Sequence, residues 1–175
     1  MIEFDRRQFE EYARAVFTTD SPSGCTADAI ALIKKYVEEL GYTTHVHNKG
    51  TLEVDVPGLD ESKTVATSAH VDTLGMMVRS VKSGGTLALT KVGGPICPTL
   101  DGEYCTVLTR EGKRYSGTIL SLAPAVHVYP DAATMPRDAD HLEVRLDEEV
   151  KSAEDVKALG IDNGDFVFID PKFTM

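Results

Sequence analysis

Cysteine is scarce in this chain: Cys25, Cys97 and Cys105 are an odd number, widely spaced, with no CxxC pair. A disulfide framework is therefore not expected, and reduced thiols in a cytoplasmic protein are. No apolar run approaches the ~20 residues that a membrane-spanning helix needs. The N-terminal Met-Ile-Glu-Phe-Asp-Arg-Arg is charged and no apolar stretch follows it, so no secretory signal is read and a cytoplasmic location is expected. Basic residues are also in the minority. The formal net charge is −10, which argues against nucleic acid or an anionic membrane as partner. His-Glu-x-x-His is absent, so a one-helix zinc protease site is excluded.

What is present suits a folded chain. A hydrophobic share of 42% over 175 residues supports one domain of ordinary size, or a small domain carrying an insertion. Acidic residues crowd the stretch from Asp131 to Asp170, which reads as a solvated face.

Phe9, Tyr12, Ala13, Val16 and Phe17 recur at helical spacing, and Asp5 with Gln8 three residues later resembles a capping box. A second helix is predicted over 26–40, with Gly41 placed to end it. Strands are predicted at 43–47 and 51–56, joined by the turn Asn48-Lys49-Gly50, and another at 64–69. Helices followed by strands predict an α/β layer. The strand at 64–69 would end at His70, and in open α/β sheets ligands bind beyond the carboxyl ends of strands.

Beyond Met77 the texture changes. Short β-type runs at 87–91, 104–109, 115–120, 126–129, 138–146 and 166–169 alternate with turns and predict a small β-barrel or sandwich. A short helix is predicted over 152–159, with Ser152 as N-cap and Gly160 beyond its end.

Chemistry centres on His70 and Asp72. Two residues apart on an extended segment, they share a face. Imidazole is a common zinc ligand, and a carboxylate commonly holds its second nitrogen or the metal itself. The spacing alone is a weak metal signal and is better served by a capped strand end in which Asp72 accepts a hydrogen bond. His45 and His47 also alternate along a strand; exposed strand histidines are the expected reading, with a metal pair as the alternative. His127 is expected to be packed or hydrogen-bonded within the β region, and His141 solvated.

Four segments carry a resemblance. Ser68-Ala69-His70-Val71-Asp72-Thr73-Leu74-Gly75-Met76-Met77-Val78 resembles the first metal motif of the M42 metallo-aminopeptidases. Ser21-Pro22-Ser23-Gly24 resembles that family's early P-S-G turn. Gly117-Thr118-Ile119-Leu120-Ser121, with Pro124 to Val128, resembles the stretch crossing its inserted β domain. Gly160-Ile161-Asp162-Asn163-Gly164-Asp165 resembles a segment near that domain's end. The four occur in family order.

The resemblance implies a zinc-exopeptidase-like α/β domain, incomplete here, over 1–77. It implies an inserted β-barrel for dimerisation or assembly over 78–165, and a return segment over 166–175. It implies two divalent metal ions, zinc or cobalt, peptide substrates cut at the N-terminus, and a homo-oligomer built through the β domain. His70 would be a metal ligand and Asp72 a catalytic residue supporting it. It also places His127 near the active-site mouth. Thr73 departs from the glutamate many relatives carry and leaves substrate preference open. The remaining ligands and the general base are expected after Met175, so the chain alone is expected to be inactive. A non-catalytic assembly module is the alternative. Glycoside hydrolysis is set aside, because no paired-carboxylate context is present.

Overall fold

A computed structural model of the chain describes residues 4–60 and 62–175. It divides into two compact units: the described residues up to Thr73 together with Pro171–Met175, and Leu74–Asp170.

In the first unit, α1 (Arg6–Phe17) opens where predicted: the Asp5 side chain accepts a hydrogen bond from the Gln8 amide. Its apolar stripe meets little: Phe9 and Phe17 stay largely exposed. Tyr12 stacks on Tyr36 of α2 (Ala27–Glu39), ring centroids 4.3 Å apart. Phe17 stacks on Phe173, over which the Arg14 guanidinium also lies. Gly41, at φ +88°, takes the left-handed conformation that ends α2. The hairpin β1 (Thr43–Val46) and β2 (Leu52–Asp55) forms as expected, pairing His45 with Glu53.

The strand expected at 64–69 is not formed, and those residues are exposed. A strand exists through its ladder, and β1 and β2 pair only with each other. Thr73 alone is captured, in an isolated parallel bridge to Pro22.

The second unit is a closed six-stranded barrel. Its strands are β3 (Gly75–Val81), β4 (Leu87–Val92), β5 (Tyr104–Leu108), β6 (Arg114–Ser121), β7 (Leu142–Leu146) and β8 (Phe166–Ile169). Their order around the barrel is β3-β4-β7-β6-β5-β8. Alternate residues point inward, as closure demands, so Met76, Leu89, Val107, Ile119, Val144 and Val167 form a solvent-free core. Closure depends on β3 pairing with β8, where Met76 faces Val167. The unit is therefore wider at both ends than the span 78–165, because β3 and β8 are themselves staves.

Gly117 lies where β6 crosses β7 closely: a Cβ there would stand 2.8 Å from the Arg145 carbonyl oxygen. The helix α3 (Ala153–Ala158) matches expectation, with Ser152 Oγ accepting from the Asp155 amide and Val156 buried beneath. The run 126–129 is not a strand. It forms turns in the excursion between β6 and β7, because β-branched and aromatic residues favour a sheet only where a neighbouring strand is on offer.

Candidate functional site

His70 and Asp72 lie on an extended stretch just before the barrel. The imidazole Nδ1 is 2.9 Å from Asp72 Oδ1 and 3.1 Å from Asp72 O. Both oxygens accept, so Nδ1 carries the proton and Nε2 keeps a free lone pair. The His70 side chain is 85% exposed, leaving that lone pair open to a ligand.

Asp72 has a second partner, which the sequence did not reveal. Ser23 Oγ donates to Asp72 Oδ2 at 2.5 Å. The Ser23 hydroxyl, and then His70, hold the Asp72 carboxyl below the usual carboxylate range. The contact spans 49 residues of chain. The P-S-G turn was legible as a motif, but a hydroxyl reaching a distant carboxylate leaves no trace in local spacing.

The backbone explains why the two meet. The Thr73 amide donates to Ser21 O at 2.7 Å beside the Pro22–Thr73 bridge. Pro22 is fully buried. The turn closes through Cys25 N to Pro22 O, with Gly24 at φ +89°. Ser21 Oγ is buried beside this clasp without a hydrogen-bond partner. Ser23, His70 and Asp72 line a cavity of about 540 Å³ together with Ile30, Ile33, Leu52 and Val54.

The other histidines do not join this group. His45 and His47 are exposed as expected, meeting edge to face, and His47 Nε2 is 2.7 Å from Glu53. His127 is exposed in a turn rather than packed in a strand, since its segment forms no ladder. His141 is held by Asp138 at 2.6 Å.

Donor chemistry at His70 fits one edge of a metal site: an imidazole whose second nitrogen is tied to a carboxylate is a common zinc ligand. A zinc site takes three or four protein ligands. Among the described residues no group of three or more His, Cys, Asp or Glu could hold an ion. The fit is therefore partial.

Comparison with known proteins adds to this geometry. A family model described as M42 glutamyl aminopeptidase matches residues 50–175. A Bacillus subtilis (strain 168) protein, YhfE, whose name assigns it provisionally to the aminopeptidases, is 40% identical over 166 residues, covering 95% of this chain and 48% of that protein. The crystal structure of a TET aminopeptidase from a marine sediment Thaumarchaeota archaeon superposes with a TM-score of 0.82 over 96% of this chain and 46% of its own, at 23% identity. A Pyrococcus horikoshii TET1 peptidase, described as assembling into a tetrahedron or a large octahedral shell, superposes with a TM-score of 0.70 at 20% identity, over 94% of this chain and 47% of its own. The two structures establish likeness of fold. The chain spans about half the length of the curated relatives it matches.

Proposed function

Because the chain belongs to the M42 glutamyl aminopeptidase family, we propose that it supplies the His70–Asp72 edge of a metal-dependent aminopeptidase site acting on peptide N-termini. The observation that carries this reading is the Nδ1 contact with Asp72, which leaves Nε2 of an exposed imidazole for an ion. When bound, a pair of divalent ions, zinc or cobalt, supplies water activation for hydrolysis of the first peptide bond. His70 would hold one ion through Nε2. Asp72 keeps the Nδ1 proton in place and its negative charge close by.

Alone, the chain is inactive on this reading, since His70 and Asp72 provide neither a full ligand set nor a separate general base. On this reading the first unit would belong to a zinc-exopeptidase-like α/β domain. A cytoplasmic location fits a chain with few cysteines, widely spaced and without a CxxC pair. No described helix is long and apolar enough to cross a membrane.

Grafting the 175 residues in place of the matching part of the Bacillus subtilis relative tests the proposal. Hydrolysis of aminoacyl anilides that is lost with a chelator, restored by zinc or cobalt and abolished by His70→Ala is the expected result. Chelator-insensitive cleavage, or full activity in His70→Ala, would overturn it.

A second role, homo-oligomeric assembly through the barrel, is favoured by exposed apolar side chains on that unit, among them Ile96, Tyr104, Val126 and Val128. It stands as an addition to catalysis or, if the graft is inactive, as the alternative to it. A monomer at high concentration in sedimentation would refute it.

A further inference from the structure

We propose that Ser23 is a positioning residue for the metal-binding imidazole, acting through Asp72 to fix which nitrogen of His70 carries the proton. This rests on the reading of His70 as a metal ligand. A carboxylate has two oxygens, and here each has one duty: Oδ2 accepts from Ser23 and Oδ1 accepts from His70. Asp72 is 40% exposed, so packing alone does not choose its rotamer. The serine hydroxyl does.

Ser23 is itself well placed for the task. Its turn is closed by the Cys25–Pro22 hydrogen bond and fastened to the residue after Asp72 by the Thr73–Ser21 bond and the Pro22–Thr73 bridge. Donor and acceptor therefore ride on one clasp and keep their separation.

The consequence is a choice of tautomer. With Asp72 locked, the proton stays on Nδ1 and Nε2 offers its lone pair. With Asp72 free to rotate, the tautomer protonated at Nε2 gains population, and that form cannot ligate through Nε2. A serine that merely stabilised the turn would leave the tautomer unchanged.

Nitrogen-15 spectra of the His70 ring, recorded on the whole chain at about pH 8 where imidazole is normally neutral, decide the matter. Wild type should show the Nδ1-protonated form. Ser23→Ala should lose that preference and weaken zinc binding at His70, followed on the same resonances, by about tenfold, the low end of what outer-shell partners contribute. Ser23→Thr, which keeps the hydroxyl, should restore both. An unchanged tautomer and zinc midpoint in Ser23→Ala overturns the proposal.

If Ser23→Ala also loosens the turn, seen as lost protection of the Thr73 amide, Ser23→Thr decides: the wild-type tautomer supports the role and the alanine pattern overturns it. Failure of the metal reading is distinct, because zinc would then leave His70 unmoved in every variant while the tautomer difference stands.

Discussion

Ser21 and Ser23 are two residues apart and do opposite things with the same hydroxyl. Ser23 satisfies a carboxylate, whereas Ser21 Oγ is buried without a partner. A buried, unpaired hydroxyl has lost its water and gained nothing in return. Ser21→Ala should therefore be neutral or stabilising in thermal unfolding, whereas most small changes at buried sites destabilise. The thiols differ in the same local way. Burial, then the charges of Asp170 and Asp147, push the Cys105 thiol up to about 12. Since the thiolate is the reactive form, Cys105 should resist iodoacetamide at pH 8 until the chain is denatured, as peptide mass spectrometry would show. At this scale the contact between His70 and Asp72 was foreseeable, because two positions on one extended segment share a face, but spacing alone did not set it apart from a capped strand end. The Ser23 contact was not foreseeable, because its partner lies far along the chain.

Elements were read best where a local device sets their ends. Asp5 caps α1, Gly41 ends α2, Gly50 at φ +85° turns the hairpin, and Ser152 opens α3. Each signal lies within a few residues of what it controls. The two misread runs, 64–69 and 126–129, had strand-like residues but no neighbour to pair with, a property of the fold rather than of the run. The start of α3 is testable by two routes. Ser152→Ala should cost about 1 kcal/mol, the usual loss of an N-cap side chain, measured by denaturant unfolding. Asp155 accepts from the Lys151 amide at 2.9 Å, and that bond, followed by the hydrogen bond with Ser152, lowers its pKa. A depressed carboxyl pKa gives stability that is present above the unfolded value, near pH 4. It is lost as pH falls through the folded value. The Lys151 amide proton resonance should therefore hold steady down to about pH 4 and move only below it. In β6, Gly117→Ala forces a methyl against the Arg145 carbonyl and the Val144 side chain. It should destabilise the barrel by roughly 1–3 kcal/mol, the usual cost of overpacking, seen as a lower melting temperature.

Across the whole molecule the burial is uneven. Among the described residues the first unit buries only Ser21, Pro22 and Ala29, whereas the barrel has a continuous core. Local stability follows buried apolar contact, so amides of residues 26–69 should exchange with deuterium well before those of the barrel strands. Uniformly slow exchange would contradict this. The composition of the second half announced a small β fold, with 166–169 among its β-type runs; the stave that escaped notice is β3, read as part of the metal motif, while a domain boundary set at 165 left β8 outside the barrel. Their pairing has one more consequence. Because β3 and β8 run antiparallel as neighbours, the chain leaves the barrel about one strand spacing, ~5 Å, from where it entered. The barrel is thus a cassette with its two splice points side by side: a host protein could gain or lose all of Leu74–Asp170 by a single exchange, with a few residues sufficient to close the gap.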